Sequence, residues 1–451
     1  MQSSEAQTKT MQIDALNEAL NSGTFVQVRR MLNGLPASEV ADLLESSPPN
    51  KRRILWQLID IEKEGEILQE VNDDVGEQFL SEMNAAELLT VTEGLETDDL
   101  VDILQQLPED VLEEVLQSMD AQDRQRLELM LPYDEETAGG LMNTDTITVR
   151  PSHTMELVLR YLRRHEEIPR FTDTLIVVNR KDEFLGLLPL RRVLVSDPGM
   201  TVRELMQTGI EAIPASMPDS EVASLFERHD WISAPVIDDS SNKLLGRITI
   251  DDVVDVIREE GEHSLLGSVG LNEDEDTFAP VVKSARRRSV WLGANVLAAL
   301  AAASVSNMFE ATLDQMAAIA VLMTIVPSMG GVAGNQTVAL VIRGLALGHI
   351  GDSNKRELLL KEAAIGFLNG VLWAVIIGGI VVAWKGNWIL GGIISAAMMT
   401  NLIVAGIAGV TIPVMLKKMN IDPALAGGMA LTTVTDVIGL SVFLGLATIL
   451  I

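Results

Sequence analysis

Cysteine is absent from this 451-residue chain, which excludes disulfides, thiolate zinc sites and a cysteine nucleophile. Familiar hydrolase and nucleotide motifs are missing too. The five histidines form no H-E-x-x-H pair, and there is no G-x-S-x-G elbow or Walker loop. An enzyme, such as a membrane-bound hydrolase built on Asp436 or a histidine, is therefore the poorest reading, and the chain is expected not to be an enzyme. Positive charge is also scarce: 34 Lys and Arg face 64 Asp and Glu, a net charge of −30. That balance argues against a nucleic-acid partner. The first residues are polar and acidic, unlike a signal peptide, so the first 280 residues are expected to stay in the cytoplasm.

The chain is too long for one typical domain, and two to four units are expected. A hydrophobic content of 47 % sits oddly beside so much charge unless the two are segregated. They are. Before residue 284 lie 57 acidic and 24 basic residues, a balance of −33; after it lie seven and ten, a balance of +3. The front reads as a soluble acidic body and the back as a membrane domain. An acidic body attracts cations, although ordinary solubility accounts for the same charge.

A spanning helix needs about 20 mostly apolar residues. Five stretches qualify: 289–308, 315–345, 363–384, 388–416 and 424–450. Arg286, Arg287 and Arg288 precede the first. Lys355, Arg356 and Lys361 fall between the second and third, and Lys417 and Lys418 between the fourth and fifth. The positive-inside bias then puts the N-terminus in the cytoplasm and the C-terminus outside. Within the spans, Asp436 is the only deep acidic residue in this reading, so it should face a water-filled path or a partner such as Arg343. Thr432 lies one turn before it and Thr435 immediately before it. In the second span, Pro327 and Gly330, Gly331 and Gly334 either break the helix beside a cavity or let helices pack closely. Asn335 and Gln336 would supply neutral oxygens nearby. One carboxylate makes a poor cage for a dehydrated ion, whereas two chains around an axis would offer two. Mg²⁺ sheds water reluctantly, so a pore of this kind suits a largely hydrated ion and a homodimer.

The soluble half contains a repeat of about 60 residues. Leu141-Met142-Asn143-Thr144 returns as Leu205-Met206-Gln207-Thr208, and Phe184-Leu185-Gly186-Leu187-Leu188 as Leu244-Leu245-Gly246-Arg247-Ile248. The unit resembles a CBS domain, which works in tandem pairs and often binds adenosine nucleotides through Gly, Thr and Asp. The second copy has these as Gly246, Thr249 and Asp252; the first has Pro189 and Arg192 at the matching places. The pair is either a nucleotide site for ATP or a related adenosine nucleotide in the second copy, or purely mechanical. Residues 12–137 show amphipathic helical periodicity broken at Leu35-Pro36, Pro48-Pro49, Leu107-Pro108 and Leu131-Pro132. Residues 261–283, with Glu273-Asp274-Glu275-Asp276, read as a connector helix under the membrane.

This order of parts, with Gly-Gly-x-Ala-Gly-x-Gln in the second span and Thr-Asp-Val in the fifth, resembles the MgtE family of magnesium transporters along essentially the whole chain. The segments Tyr133–Met142, Thr249–Val256 and Asp422-Pro423-Ala424 carry the likeness. It implies a multidomain fold: an acidic, all-α superhelical N domain (1–137), α/β CBS domains (138–200 and 201–260), a connector (261–283) and a five-helix transmembrane domain (284–451). It implies a bacterial inner-membrane homodimer in contact with lipid, with Mg²⁺ as both substrate and regulator. The resemblance makes Asp436 the pore ion site, with Thr432, Thr435, Asn335 and Gln336 lining it. Regulatory ions would be held by Asp230, Asp252, Asp255 and Glu260, then by Asp99, Asp102 and Asp422. Val332 stands where the family usually has Asn, and Gly427, Gly428 and Met429 replace a Ser-Gly-Pro or Ser-Asn-Pro, which puts ion selectivity in doubt. Two unit charges 4 Å apart repel by on the order of 4 kcal/mol at an effective dielectric near 20. Bridging divalent ions would reverse that sign, so a compact closed state is expected at high Mg²⁺. The rival reading is a secondary transporter of Mg²⁺, Mn²⁺ or Co²⁺ coupled to Na⁺ or H⁺; another is a CBS-type energy sensor with a vestigial pore.

Overall fold

The computed structural model describes residues 25–92, 95–165, 168–272, 275–315, 317–351 and 353–451. Of the expected helical array, residues 12–24 lie outside these, as do Glu273 and Asp274 of the acidic run. The chain divides into two compact units, 1–260 with 274–280, and 261–273 with 281–451.

Among the described residues the first unit opens with nine short helices, α1 (Phe25–Leu32) to α9 (Ala121–Met130). The prolines mark their starts: Pro36 and Pro48 are N-caps, and Pro108 precedes Glu109. A proline there forgoes an N–H that no helix would use. Asn72 and Asn84 cap two more, the latter in a capping box with Glu87. Several of these helices bury an apolar stripe. In α7 (Thr97–Gln105) Val101, Ile103 and Leu104 are buried while Asp102 is exposed.

The repeat folds twice into the same three-stranded sheet. β1 (Thr148–Val149) runs parallel to β2 (Thr174–Val178), which pairs antiparallel with β3 (Phe184–Pro189). β4 (Ile213–Pro214), β5 (Ser233–Ile237) and β6 (Leu244–Thr249) repeat this order, with a bulge at the equivalent place, Val177/Val178 and Val236/Ile237. The leading segments are exchanged between copies. Asn143 bridges to Arg247 of copy two, and Gln207 bridges to Leu187 of copy one. This explains one glycine in each copy. A Cβ at Gly246 would lie 2.6 Å from the Asn143 carbonyl oxygen, and one at Gly186 would overlap that of Gln207.

Among the described residues, no helix is confined to 261–283. The helix that follows β6, α14 (Ile250–Gly267), runs straight through position 260, and the next, α15 (Val281–Met308), begins at Val281. Between them the described residues 268–272 and 275–280 form turns and extended chain. The expected separate connector helix is thus the tail of one helix, a loop, and the head of another. No proline interrupts α14 where the CBS repeat stops, and the helix carries on through the polar residues 258–264. Asp276 of that loop is held in the first unit by a buried ion pair. Arg52 grips it through both terminal nitrogens at 2.8 and 3.0 Å, and Arg52 Nε donates to the Leu44 carbonyl at 2.9 Å.

Among the described residues of the second unit, five helices are long and apolar enough to cross a membrane: α15, the stretch Ala318–Ala346, Lys355–Lys385, Trp388–Lys418 and Pro423–Leu450. The second stretch consists of α17 (Ala317–Leu322), which follows α16 (Glu310–Gln315), and α18 (Ile325–Ala346). The break precedes Pro327 instead of falling on it. Pro327 sits in the first turn of α18, where its missing N–H costs nothing, and the helix continues through all three glycines. Two of those glycines serve close packing: a Cβ at Gly330 would overlap Asn401, and one at Gly334 would lie 2.5 Å from Leu431. The third spanning helix, α19 (Lys355–Lys385), packs its Gly366 and Gly370 against α20 (Trp388–Lys418) in the same way.

Candidate cation sites

In the first unit two helix N-termini carry the carboxylates. Asp98 and Asp99 occupy the first turn of α7, and Asp251 and Asp252 that of α14. Acids are favoured there by the helix dipole. Spacings of three and four bring Asp99 with Asp102, and Asp251 with Asp255, onto shared faces. Both faces open on one cleft of about 470 Å³, also lined by Glu66, Glu70, Glu96, Glu259, Arg170 and Arg258. Thr249 locks the turn before α14: its N–H and hydroxyl both reach Asp252, at 3.3 and 3.0 Å, and the hydroxyl also contacts Asp251.

Crowding these acids perturbs them. Burial pushes Asp252 up to about 8, with Asp98 and Asp251 adding repulsion. Burial lifts Asp99 to about 7, reinforced by Asp252 and Glu96. Asp98, only 7 % exposed, is raised well above its ordinary range by burial and by Asp99. Asp102 and Asp255 keep contact with water but are raised too, burial again being the first cause; Arg258, 3.2 Å from Asp255, works against the shift. The lining is unfavourable for its own ionisation and would be relieved by cations.

The donors are hard carboxylate oxygens, the type Mg²⁺ and Ca²⁺ prefer. Among the described residues, no three Asp, Glu or His side chains converge tightly enough to cage a bare ion. The cleft therefore fits an ion that keeps most of its water, as Mg²⁺ does.

Of the expected regulatory residues, Asp99, Asp102, Asp252 and Asp255 share this cleft. Asp230 does not line it; it caps the helix Asp219–His229 in the left-handed conformation, exposed to solvent. Glu260 is exposed and faces Asp219, whose carboxyl it helps raise behind the larger effect of burial. Asp422 stands in the second unit. It caps α21 (Pro423–Leu450) through the N–H groups of Ala424 and Leu425, and its Oδ2 lies 2.8 Å from His263 Nε2. Asp98, Asp251 and Glu96 were missed in the sequence, though each of the two aspartates adjoins a named one in the same helix turn. Gly246, Thr249 and Asp252 are present as spaced for a nucleotide, but Gly246 is taken up by Asn143, and Thr249 and Asp252 by each other and the cleft.

The second candidate lies in the membrane unit. Asp436 is halfway along α21 and half-buried. Helices α18 and α21 cross antiparallel. Ideal Cβ atoms at Gly330, Gly334 and Gly427 meet Thr435, Leu431 and Val338 in turn, and one at Gly428 lies 3.4 Å from Asn335 Oδ1. Arg343 is 13 residues beyond Gly330, roughly 20 Å along the helix, so it is no partner for Asp436. Gly428, Thr432 and Asp436 form one stripe at helical spacing, with Asn335 at its early end. The polar groups thus make a row, not a ring. Thr435 departs from it: the residue is fully buried, and its hydroxyl donates to the Thr432 carbonyl at 3.0 Å. Gln336 and Val332 lie on the open face of α18.

A second carboxylate lies within the spans. Glu362, 5 % exposed, accepts from Thr337 Oγ1 at 3.2 Å. The expectation of a single deep acid fails because α19 begins at Lys355, eight residues before the predicted span.

Comparison with known proteins places these parts. A family model described as divalent cation transporter (MgtE) matches residues 323–446, the MgtE intracellular N domain matches 35–136, and the CBS domain matches 138–197 and 202–259. The chain is 29 % identical over 431 residues to a magnesium transporter MgtE of Bacillus subtilis (strain 168), covering 95 % of each. It is 28 % identical to one from Thermus thermophilus, over 97 % of this chain and 98 % of that one. A crystal structure of the cytosolic domain of the Mg²⁺ channel MgtE with ATP aligns at 29 % identity and a TM-score of 0.49, over 54 % of this chain and 99 % of that one.

Proposed function

The chain belongs to the MgtE family of magnesium transporters, and on that premise we propose that it is a Mg²⁺ channel of the bacterial inner membrane, closed by cytosolic Mg²⁺ in the acidic cleft. The permeating ion passes Asp436 as a largely hydrated cation, with Thr432 and Asn335 along the same stripe. A homodimer would place two Asp436 carboxylates about one axis.

The observation that carries the regulatory part is the cleft itself. Two helix N-termini aim Asp98, Asp99, Asp251 and Asp252 into one space, where burial and mutual repulsion lift Asp99 and Asp252 to about 7 and 8. When bound there, Mg²⁺ supplies the positive charge that offsets this repulsion. Asp98, Asp99, Asp102, Asp252 and Asp255 would hold it, largely through water. A ligand shifts a conformational equilibrium only through its differential affinity for the two states. Ions that bridge both walls have such a difference, because separated walls hold fewer carboxylates per ion. The cytoplasmic placement of this unit follows from the Lys and Arg bias of the loops.

An adenosine nucleotide at Gly246, Thr249 and Asp252 would bring phosphates towards this acidic lining, so it would bind best as its Mg²⁺ complex. The experiment that tests the whole reading is uptake into proteoliposomes at graded Mg²⁺ on the cytoplasmic face. Falling flux as that Mg²⁺ rises supports the reading. Flux that requires a Na⁺ or proton gradient would instead establish a coupled transporter.

A further inference from the structure

We propose that Asn401 is a positioning residue for conduction: its side chain fixes the rotation of α21 about its own axis and so decides where Asp436 points. This rests on the reading of Asp436 as the ion site. Asn401 lies in the middle of α20 and is 0 % exposed. Its Nδ2 donates to the Val326 carbonyl at 2.8 Å, in the first turn of α18 just after the break at 323–324. That acceptor sets the orientation of the amide, and Oδ1 is left with no hydrogen-bond partner among the described residues.

The neighbours are shaped around this amide. A Cβ at Gly330 would overlap Asn401 Nδ2, and one at Gly439 would lie 2.9 Å from Nδ2 and 3.4 Å from Oδ1. Thr435, fully buried, closes the junction, its Cβ 3.2 Å from the position a Cβ would take at Gly330. Thr435 and Gly439 are one turn apart on one face of α21, so Asn401 occupies a notch between them. Asp436 follows Thr435 by about 100° around the helix, and Thr432 shares its face. With the notch engaged, the Thr432–Asp436 stripe is turned off the packed face. A leucine would fill much the same volume with no polar group to satisfy. A buried amide with one oxygen unpaired instead carries a desolvation cost, so packing alone does not account for it. What the amide adds is a directional tie from α20 to the start of α18, with α21 keyed against it.

The absence of cysteine permits a direct test. Single Thr432→Cys and Thr435→Cys variants are labelled in proteoliposomes with a small water-soluble thiol reagent, with Asn401 intact or replaced by Leu. With Asn401 present, Thr432→Cys should label at least tenfold faster than Thr435→Cys. With Asn401→Leu the two rates should come within a few-fold, and Mg²⁺ uptake in the cysteine-free protein should fall about tenfold. An unchanged labelling ratio in folded Asn401→Leu protein overturns the proposal, as does unchanged uptake. If Asn401→Leu does not fold, Asn401→Ser gives the same ratio to read. An Asp436→Ala control separates the two readings: normal flux in that variant removes the ion site itself, whatever Asn401 does.

Discussion

In the cleft of the first unit, burial and then mutual repulsion raise several carboxylates above their ordinary range, whereas Asp436 stands alone on its stripe with only hydroxyl and amide neighbours along it. On the proposed reading, the first arrangement would bind by accumulation. Many weak, water-filled contacts would give a response that depends on how many ions are present. The second would bind by placement, since a lone acid on one helix stripe acts only if its helix presents it to the path. What the contrast teaches is where each site is vulnerable. Losing one carboxylate from the cleft removes a share of the charge, but losing Asp436, or the packing that aims it, removes the site.

The largest effect should follow from Asp436→Ala. Mg²⁺ uptake into proteoliposomes should fall to that of empty vesicles, while Asp99→Asn should leave maximal uptake at low Mg²⁺ intact. Equal losses in the two variants would erase the distinction between sensor and path.

Next in size is Arg52→Ala, which leaves Asp276 buried with its charge uncompensated. Such breaks cost about 3–5 kcal/mol, so thermal unfolding of the soluble unit in the detergent-solubilised protein should drop by roughly 10 °C. Pairing Arg52→Met with Asp276→Leu should recover most of the loss. Because Asp276 lies five residues before α15 begins, the single variant should also blunt closure by Mg²⁺.

A smaller, sharper test concerns the cleft itself. Asp99→Asn with Asp252→Asn imitates the protonated acids and removes repulsion without Mg²⁺. Protease protection in Mg²⁺-free buffer should therefore rise towards the Mg²⁺-bound level, and further Mg²⁺ should change it little. Wild-type sensitivity in the double variant would show that repulsion does not hold the cleft open.

The smallest effect is on pH. Asp99 and Asp252 have values raised above the ordinary aspartate value, so the closed, metal-free cleft holds their protons more tightly than an open one. Its stability is fully present below about pH 4, the ordinary aspartate range, and is lost as pH rises through about 7 and 8. Protease protection without Mg²⁺ should decline from pH 5 to pH 8.5, and apparent Mg²⁺ affinity should rise over the same range as protons cease to compete.

The sequence alone determined the order of parts, five long apolar helices and the repeat, and it picked out Asp436, because these depend on local composition and periodicity. Helix starts came through where proline caps them, as at Pro36, Pro48 and Pro108. The family resemblance, not any local signal, pointed to Asp99, Asp102, Asp252 and Asp255, since nothing local says that two helix starts far apart in the chain share a space. Only the tertiary structure decided that Asp98 and Asp251 join them while Asp230 and Glu260 do not. It likewise decided that α14 outruns the CBS repeat, that Glu362 is a second enclosed acid, and that Thr435 turns inward to Asn401 while Asp436 does not. Those outcomes depend on which face of one helix meets which face of another. A sequence shows a helix its faces but not its neighbours.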